Sequence, residues 1–240
     1  MTTPDAALPP SPADSSGTPT GDSPARAPAG AIADTLVGAL AIPCEEIAAH
    51  PEFRALLSIP GIAVDLRYAT PDNFVGRNVY GGLDCAYLRR EAADAVARAA
   101  EWLSRHRPGV TLVVLDALRP QRVQEALWAE LEGTPLTKYL AHPARRSIHS
   151  FGMAVDVTLL AADGRELDMG TGFDEMTPAS HPEFEAEQLA QGGLTAAQLA
   201  HRGWLRAAMR HAGFQTISTE WWHFDFGDRD QVRRALPLVL

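Results

Sequence analysis

Apolar and polar side chains alternate from Ile62 to Tyr68, with Ile62, Val64, Leu66 and Tyr68 on one face, and this predicts a half-buried strand over 62–68. A loop follows over 70–82. Leu88, Ala92, Val96, Ala99 and Leu103 then recur at helical spacing, predicting a helix over 88–105 that Pro108 and Gly109 end. The apolar run 110–115 reads as a buried strand, and Pro120 opens a second helix over 121–131. A further strand is expected over 153–160, closed by the turn Ala162-Asp163-Gly164. The stretch 170–193 is irregular and long enough to be functional. A helix over 195–212, stopped by Gly213, leads to two last strands, 214–217 and 222–226, joined as a hairpin around Ser218. Strands and helices mix without a regular alternation, so the expected class is α+β, a mostly antiparallel sheet with packed helices.

Composition sets the limits. A chain of 240 residues with 46% hydrophobic side chains supports one sizeable core. The first 30 residues are rich in Pro, Ala, Ser, Gly and Thr and nearly devoid of large apolar groups, so they cannot bury enough surface to offset ordering. The expected division is a disordered tail over 1–45 and a single domain over 46–240. No basic start precedes an apolar stretch, which argues against export and for a cytoplasmic location. No apolar run reaches the length of about 18 residues that a spanning helix requires. A net charge of -9 without a dense basic run excludes nucleic acid as a natural partner. Cys44 and Cys85 are too few for a disulfide scaffold or a four-cysteine zinc site, so any metal must be held by nitrogen and oxygen.

Three clusters carry chemistry. In the first, His149 lies on a loop and Asp156 falls inside an apolar strand between Val155 and Val157. An ionised carboxylate buried there needs a positive partner, and a divalent metal is the strongest available. The alternative is that Asp156 caps a turn or pairs with an arginine while His149 faces solvent. In the second cluster, Glu220 and His223 stand among Trp221, Trp222 and Phe224, adding a second histidine and a further carboxylate. Two histidines and one carboxylate are a common set for catalytic zinc, with Glu220 left to carry a proton. Residues three apart on a flat strand face opposite ways, so Glu220 and His223 share a site only if the chain turns or bulges between them. Asp225 reads as a solvent-facing strand residue. In the third, Arg119 follows a buried strand and precedes a helix, placed either to stabilise an oxyanion or to pair structurally with Asp116.

The stretches SIHSFGMAVD (147–156), EWWH (220–223) and DALRP (116–120) resemble the Ser-x-His-x-x-Gly-x-Ala-x-Asp, Glu-x-Trp-His and strand-end Arg-Pro signatures of the VanX-type D-alanyl-D-alanine dipeptidases. The resemblance extends over roughly 60–228, because Tyr68 to Phe74 and Met169 to Asp174 also resemble family motifs. It implies the Hedgehog-like fold of the zinc D-Ala-D-Ala peptidases, with one Zn2+ held by His149, Asp156 and His223. It further implies Glu220 as catalytic base and then acid, and Arg119 as stabiliser of the tetrahedral intermediate. Tyr68, Ser147 and Asp174 are implied to surround the free amino end of a small D,D-dipeptide. The implied reaction is hydrolysis of D-alanyl-D-alanine to two D-alanine in cell-wall peptide metabolism. Leu118 stands where the best-known members carry an aromatic residue, and the connection 133–146 is short. The rival readings are a zinc D,D- or L,D-carboxypeptidase acting on longer peptidoglycan peptides and a non-catalytic zinc-stabilised binding domain. His181 is a candidate to line the cleft, and His50, His106, His142, His201 and His211 are expected to face solvent.

Overall fold

The computed structural model describes residues 41–240. In chain order its elements are β1 (Phe53–Ala55), β2 (Ile62–Val64), β3 (Tyr87–Arg89), α1 (Arg90–His106), β4 (Thr111–Asp116), α2 (Gln121–Leu131), β5 (Ala154–Leu160), α3 (Glu185–Gln191), α4 (Ala196–His211), β6 (Phe214–Thr216), β7 (His223–Phe226) and α5 (Arg229–Ala235). Five strands form one sheet in the order β2-β4-β5-β7-β6, and β1 pairs with β3 in a small antiparallel sheet. All pairings of the larger sheet are antiparallel except β2 with β4, which run parallel. A parallel pair needs a long crossover, and α1 supplies it. The α+β expectation therefore holds, with one parallel edge.

The helices cover one face of the sheet. Val96 and Leu103 of α1 and Leu205 and Met209 of α4 join Leu112, Val114, Val155, Val157, Leu159 and Phe224 in the main core. The side chains of a strand alternate between faces. With Val155, Val157 and Phe224 committed to the helices, Asp156, His223 and Asp225 point away from them. Helix α4 starts from Thr195, whose side chain and that of Gln198 satisfy each other's backbone N–H groups in a capping box.

Several elements depart from the periodicity. The strand expected over 62–68 stops at Val64, and Tyr68 sits in a 3-10 turn, Arg67–Ala69. The Asn73 amide donates to the carbonyls of Arg67 and Thr70, and the Thr70 hydroxyl donates to Arg67, so local side-chain bonds replace the ladder there. The irregular stretch 170–193 contains α3, and α5 closes the chain. A second core holds Ile42, Cys44, Tyr68, Tyr80, Cys85, Leu118, Leu127 and Val239. Packing thus includes Ile42, whose backbone bonds to Leu238 and Leu240, ahead of the boundary expected near residue 45. Of the tail expected over 1–45, residues 1–40 lie outside the described residues. Among the described residues, no helix is long and apolar enough to cross a membrane.

Candidate active site

The sheet register builds the site. Asp116 on β4 stands opposite Asp156 on β5, which stands opposite His223 on β7, so three charged or polar residues form a row across neighbouring strands. Directly opposed residues have Cβ atoms about 4.5–5.5 Å apart, close enough for their side chains to converge. His149 enters from the 3-10 turn Ile148–Phe151, which Gly152 ends in the left-handed conformation before the chain runs into β5.

Each histidine has one nitrogen anchored and one turned inward. His149 Nδ1 is 2.7 Å from the Ala117 carbonyl, which can only accept, so Nδ1 donates there and Nε2 is the nitrogen turned inward. His223 Nε2 is 2.9 Å from Asp225 Oδ1, which leaves Nδ1 inward. The inward atoms stand close together. His149 Nε2 lies 3.1 Å from His223 Nδ1, His223 Nδ1 lies 2.9 Å from Asp156 Oδ1, and His149 Nε2 lies 3.4 Å from the same oxygen. Three ligands bound tetrahedrally at the usual ~2.0–2.1 Å have edges of about 3.3–3.4 Å. His149, Asp156 and His223 are accordingly a group that could hold a metal ion, and two nitrogens with one carboxylate suit zinc.

Charge is arranged around this trio. Burial opposes ionisation of Asp156, but the two histidines outweigh it and hold its carboxyl well below the usual range. Burial likewise opposes charge on Asp225, yet His223 and Arg229 hold it down at about 2. Burial pushes the Glu220 carboxyl up to about 7, against the pull of His223. A carboxyl poised there can both take and return a proton near neutral pH.

Arg119 is buried and held by Asp116, with Nε at 2.8 Å and Nη2 at 2.6 Å from Oδ2, and Nη2 also reaches Asp156 Oδ2 at 3.3 Å. Its guanidinium lies over the Tyr68 ring, 5.0 Å from the centroid. The structural pairing with Asp116 and a position at the site are therefore both real. Asp116 also accepts from the Tyr80 hydroxyl and the Ala117 N–H. Beyond that ring the Tyr68 hydroxyl donates to Asp174 Oδ1 at 3.0 Å, while Asp174 Oδ2 is buried without a partner. Burial, reinforced by Asp156, raises the Asp174 pKa well above the usual carboxylate value. Asp174 and Arg146 are the two non-glycine residues with positive φ among the described residues, and both flank this site. Strain of this kind persists where the surroundings over-determine the backbone.

One pocket of about 160 Å³ is lined by Tyr68, Arg119, Ser147, His149, Asp156, Asp174, Glu220 and His223, the full set singled out from the sequence. The volume suits a ligand smaller than those filling typical pockets of ~300–1,000 Å³. Glu220 meets His223 here because β7 begins only at His223 and the chain bends through Trp221 and Trp222. That satisfies the geometric requirement.

The expectation for Asp225 is corrected. It is 2% exposed and hydrogen-bonded to His223, because residues two apart on β7 share a face and the carboxylate falls beside the imidazole. His181 does not line the pocket. It packs on Phe184, and its Nε2 lies 2.8 Å from the hydroxyl of Tyr139, which does. His106, His142 and His211 are exposed, and His50 and His201 are half-buried.

The sequence model of the D-ala-D-ala dipeptidase family matches residues 53–238, and the chain belongs to that family. It is 36% identical over 166 residues to a D-alanyl-D-alanine dipeptidase of Escherichia coli (strain K12), covering 69% of this chain and 79% of the relative. It is 32% identical over 187 residues to a D-alanyl-D-alanine dipeptidase of Enterococcus faecium, covering 71% and 88%. A third, from Streptomyces coelicolor, is 34% identical over 183 residues, covering 69% and 86%. The solved LdcB LD-carboxypeptidase aligns at 17% identity with a TM-score of 0.42 over 77% of this chain and 72% of that one, too loose a likeness to argue from.

Proposed function

We propose that this chain is a zinc dipeptidase that hydrolyses D-alanyl-D-alanine to two D-alanine in cell-wall peptide metabolism. The observation that carries the reading is the convergence of the inward atoms of His149, Asp156 and His223 in one small pocket with Glu220 and Arg119. Family membership and relatives named for this activity support it. When bound, zinc supplies the Lewis acidity that makes water acidic near neutral pH and polarises a carbonyl.

The protein's own residues do the rest. Glu220 takes the proton from the attacking water as the water oxygen bonds to the scissile carbonyl carbon, and passes that proton to the nitrogen of the leaving amine as the C–N bond breaks. Arg119, already fixed by Asp116, faces the negative charge that develops on the carbonyl oxygen. Asp174 Oδ2 offers an unpartnered acceptor to the substrate ammonium, with Tyr68 holding the other oxygen and Ser147 nearby on the wall. A peptide whose amino nitrogen is acylated brings no charge to that acceptor and leaves it buried and unpaired.

The test is hydrolysis of D-Ala-D-Ala beside L-Ala-L-Ala and N-acetyl-D-Ala-D-Ala by the zinc-loaded protein. Cleavage of the free D,D-dipeptide alone is expected. Equal cleavage of the acetylated peptide would replace the dipeptidase with a carboxypeptidase, and no cleavage despite bound zinc would replace it with a binding domain.

A further inference from the structure

The catalytic pocket opens into a second space whose walls differ from its own in charge. Tyr139, Arg145, Glu220 and Arg229 line both, and the outer vestibule adds Lys138 and Ser218. Tyr68, Ser147 and Asp174 line the inner pocket and are absent from the vestibule. The chain as a whole carries a net charge of -9, yet Lys138, Arg145 and Arg229 gather at this one mouth, and Glu220 is the sole carboxylate on its walls.

These cations are unequally engaged. Arg229 binds Asp225 through Nε, and the Lys138 ammonium lies 4.9 Å from the Tyr139 ring centroid. The exposed Arg145 takes part in none of the ion pairs or side-chain hydrogen bonds among the described residues. Arg233, on the wall of the inner pocket, brings a further positive charge close enough to Arg145 for burial and that like charge to lower its pKa. Arg229 and Arg233 have Asp225 and Asp230 as counter-ions, whereas Arg145, beside them, has none among the described residues and gains when an anion arrives.

The direction of the substrate identifies the anion. The leaving amine belongs to the C-terminal residue of the dipeptide, and that residue also carries the free carboxylate. Glu220 must reach the leaving nitrogen, and Glu220 stands on the boundary between pocket and vestibule. The ammonium is bound at the inner end by Asp174, so the C-terminal half is directed outward. An extended dipeptide spans only about 7 Å, so its carboxylate emerges at the mouth and not beyond it.

We infer that the vestibule docks the C-terminal carboxylate of the substrate, with Arg145 as its principal contact and Lys138 and Arg229 shaping the field around it. This rests on the dipeptidase reading. The pocket then recognises a zwitterion by both ends, an anion at the inner end for the ammonium and a cation at the mouth for the carboxylate. A guanidinium with free donors suits a carboxylate because it can bind both oxygens.

Intact D-Ala-D-Ala and D-alanyl-D-alaninamide, which lacks the carboxylate charge, are titrated by calorimetry into zinc-loaded Glu220→Gln protein with and without Arg145→Gln. A charge-assisted contact predicts that the acid binds about 10- to 100-fold more tightly than the amide, and that Arg145→Gln removes most of that difference while barely changing amide binding. In the otherwise native enzyme Arg145→Gln raises KM for D-Ala-D-Ala by a similar factor with kcat little changed, and Arg145→Lys recovers part of the loss. Arg145 is exposed, so these variants are expected to fold. Equal binding of acid and amide, equal weakening of both by Arg145→Gln, or binding of neither overturns the inference. If the charge discrimination is found but the native enzyme does not cleave D-Ala-D-Ala, the dipeptidase reading fails and the carboxylate site stands. If D-Ala-D-Ala is cleaved without any dependence on Arg145, the site alone fails.

Discussion

Asp225 Oδ1 sits 2.9 Å from His223 Nε2, and this contact decides which nitrogen of His223 faces His149 and Asp156. A carboxylate behind a ligating histidine fixes its tautomer and raises its basicity. Asp225→Asn keeps the shape and removes the charge. Metal affinity should fall about 10- to 100-fold. Competition titration against a chromophoric chelator measures it, and unchanged affinity would mean that Asp225 serves only Arg229.

Asp174 sets function against stability. Its pKa in the folded, metal-free protein lies well above the value of about 3.9 expected when unfolded, because burial and then Asp156 oppose its charge, Arg119 and Tyr68 only partly offset them, and Glu220 adds to the opposition. The fold therefore binds the proton more tightly than the unfolded chain does, and stability is lost as pH rises above the unfolded pKa. Asp174→Asn should raise the Tm of the metal-free protein at pH 7, with the gain vanishing below about pH 4. The same change should raise KM for D-Ala-D-Ala. A thermal melt series across pH tests the first claim, and a Tm that falls at pH 7 would contradict it.

Gly152 links fold and site. It ends the turn carrying His149 at φ 69°, and a Cβ there would meet the Phe53 ring at 2.8 Å and the Arg89 nitrogen at 3.2 Å. Gly152→Ala combines left-handed strain with overpacking, and should destabilise the protein by about 1–3 kcal/mol. Urea unfolding gives the number, and zinc affinity should fall along with it as His149 is displaced.

The convergence of His149, Asp156 and His223 into a group that could hold a metal was legible because its signal is a conflict. An aspartate within Ala154-Val155-Asp156-Val157 contradicts the apolar pattern around it, and a cation resolves the contradiction. Asp225 raises a weaker conflict, since an acidic residue in an alternating strand is also what a solvent face contains. Only the register of Asp156 with His223 shows that this face of β7 is the site. The role of Arg145 was hidden for a different reason. The stretch 133–146 has no periodicity, and its position over the pocket depends on long-range contacts such as Tyr139 with His181. The longer helices followed from their spacing, whereas β1 and β3, three residues each, are too short to show a period. The parallel pairing of β2 with β4 is a matter of topology that alternation cannot encode.

The most direct test of the account separates metal from proton transfer at Glu220. Zinc content and D-Ala-D-Ala turnover are measured together for the native chain and for Glu220→Gln. The predicted result is about one zinc in both proteins and a loss of kcat of about 10²–10⁴-fold in the variant. Full turnover by Glu220→Gln with zinc bound would contradict the account.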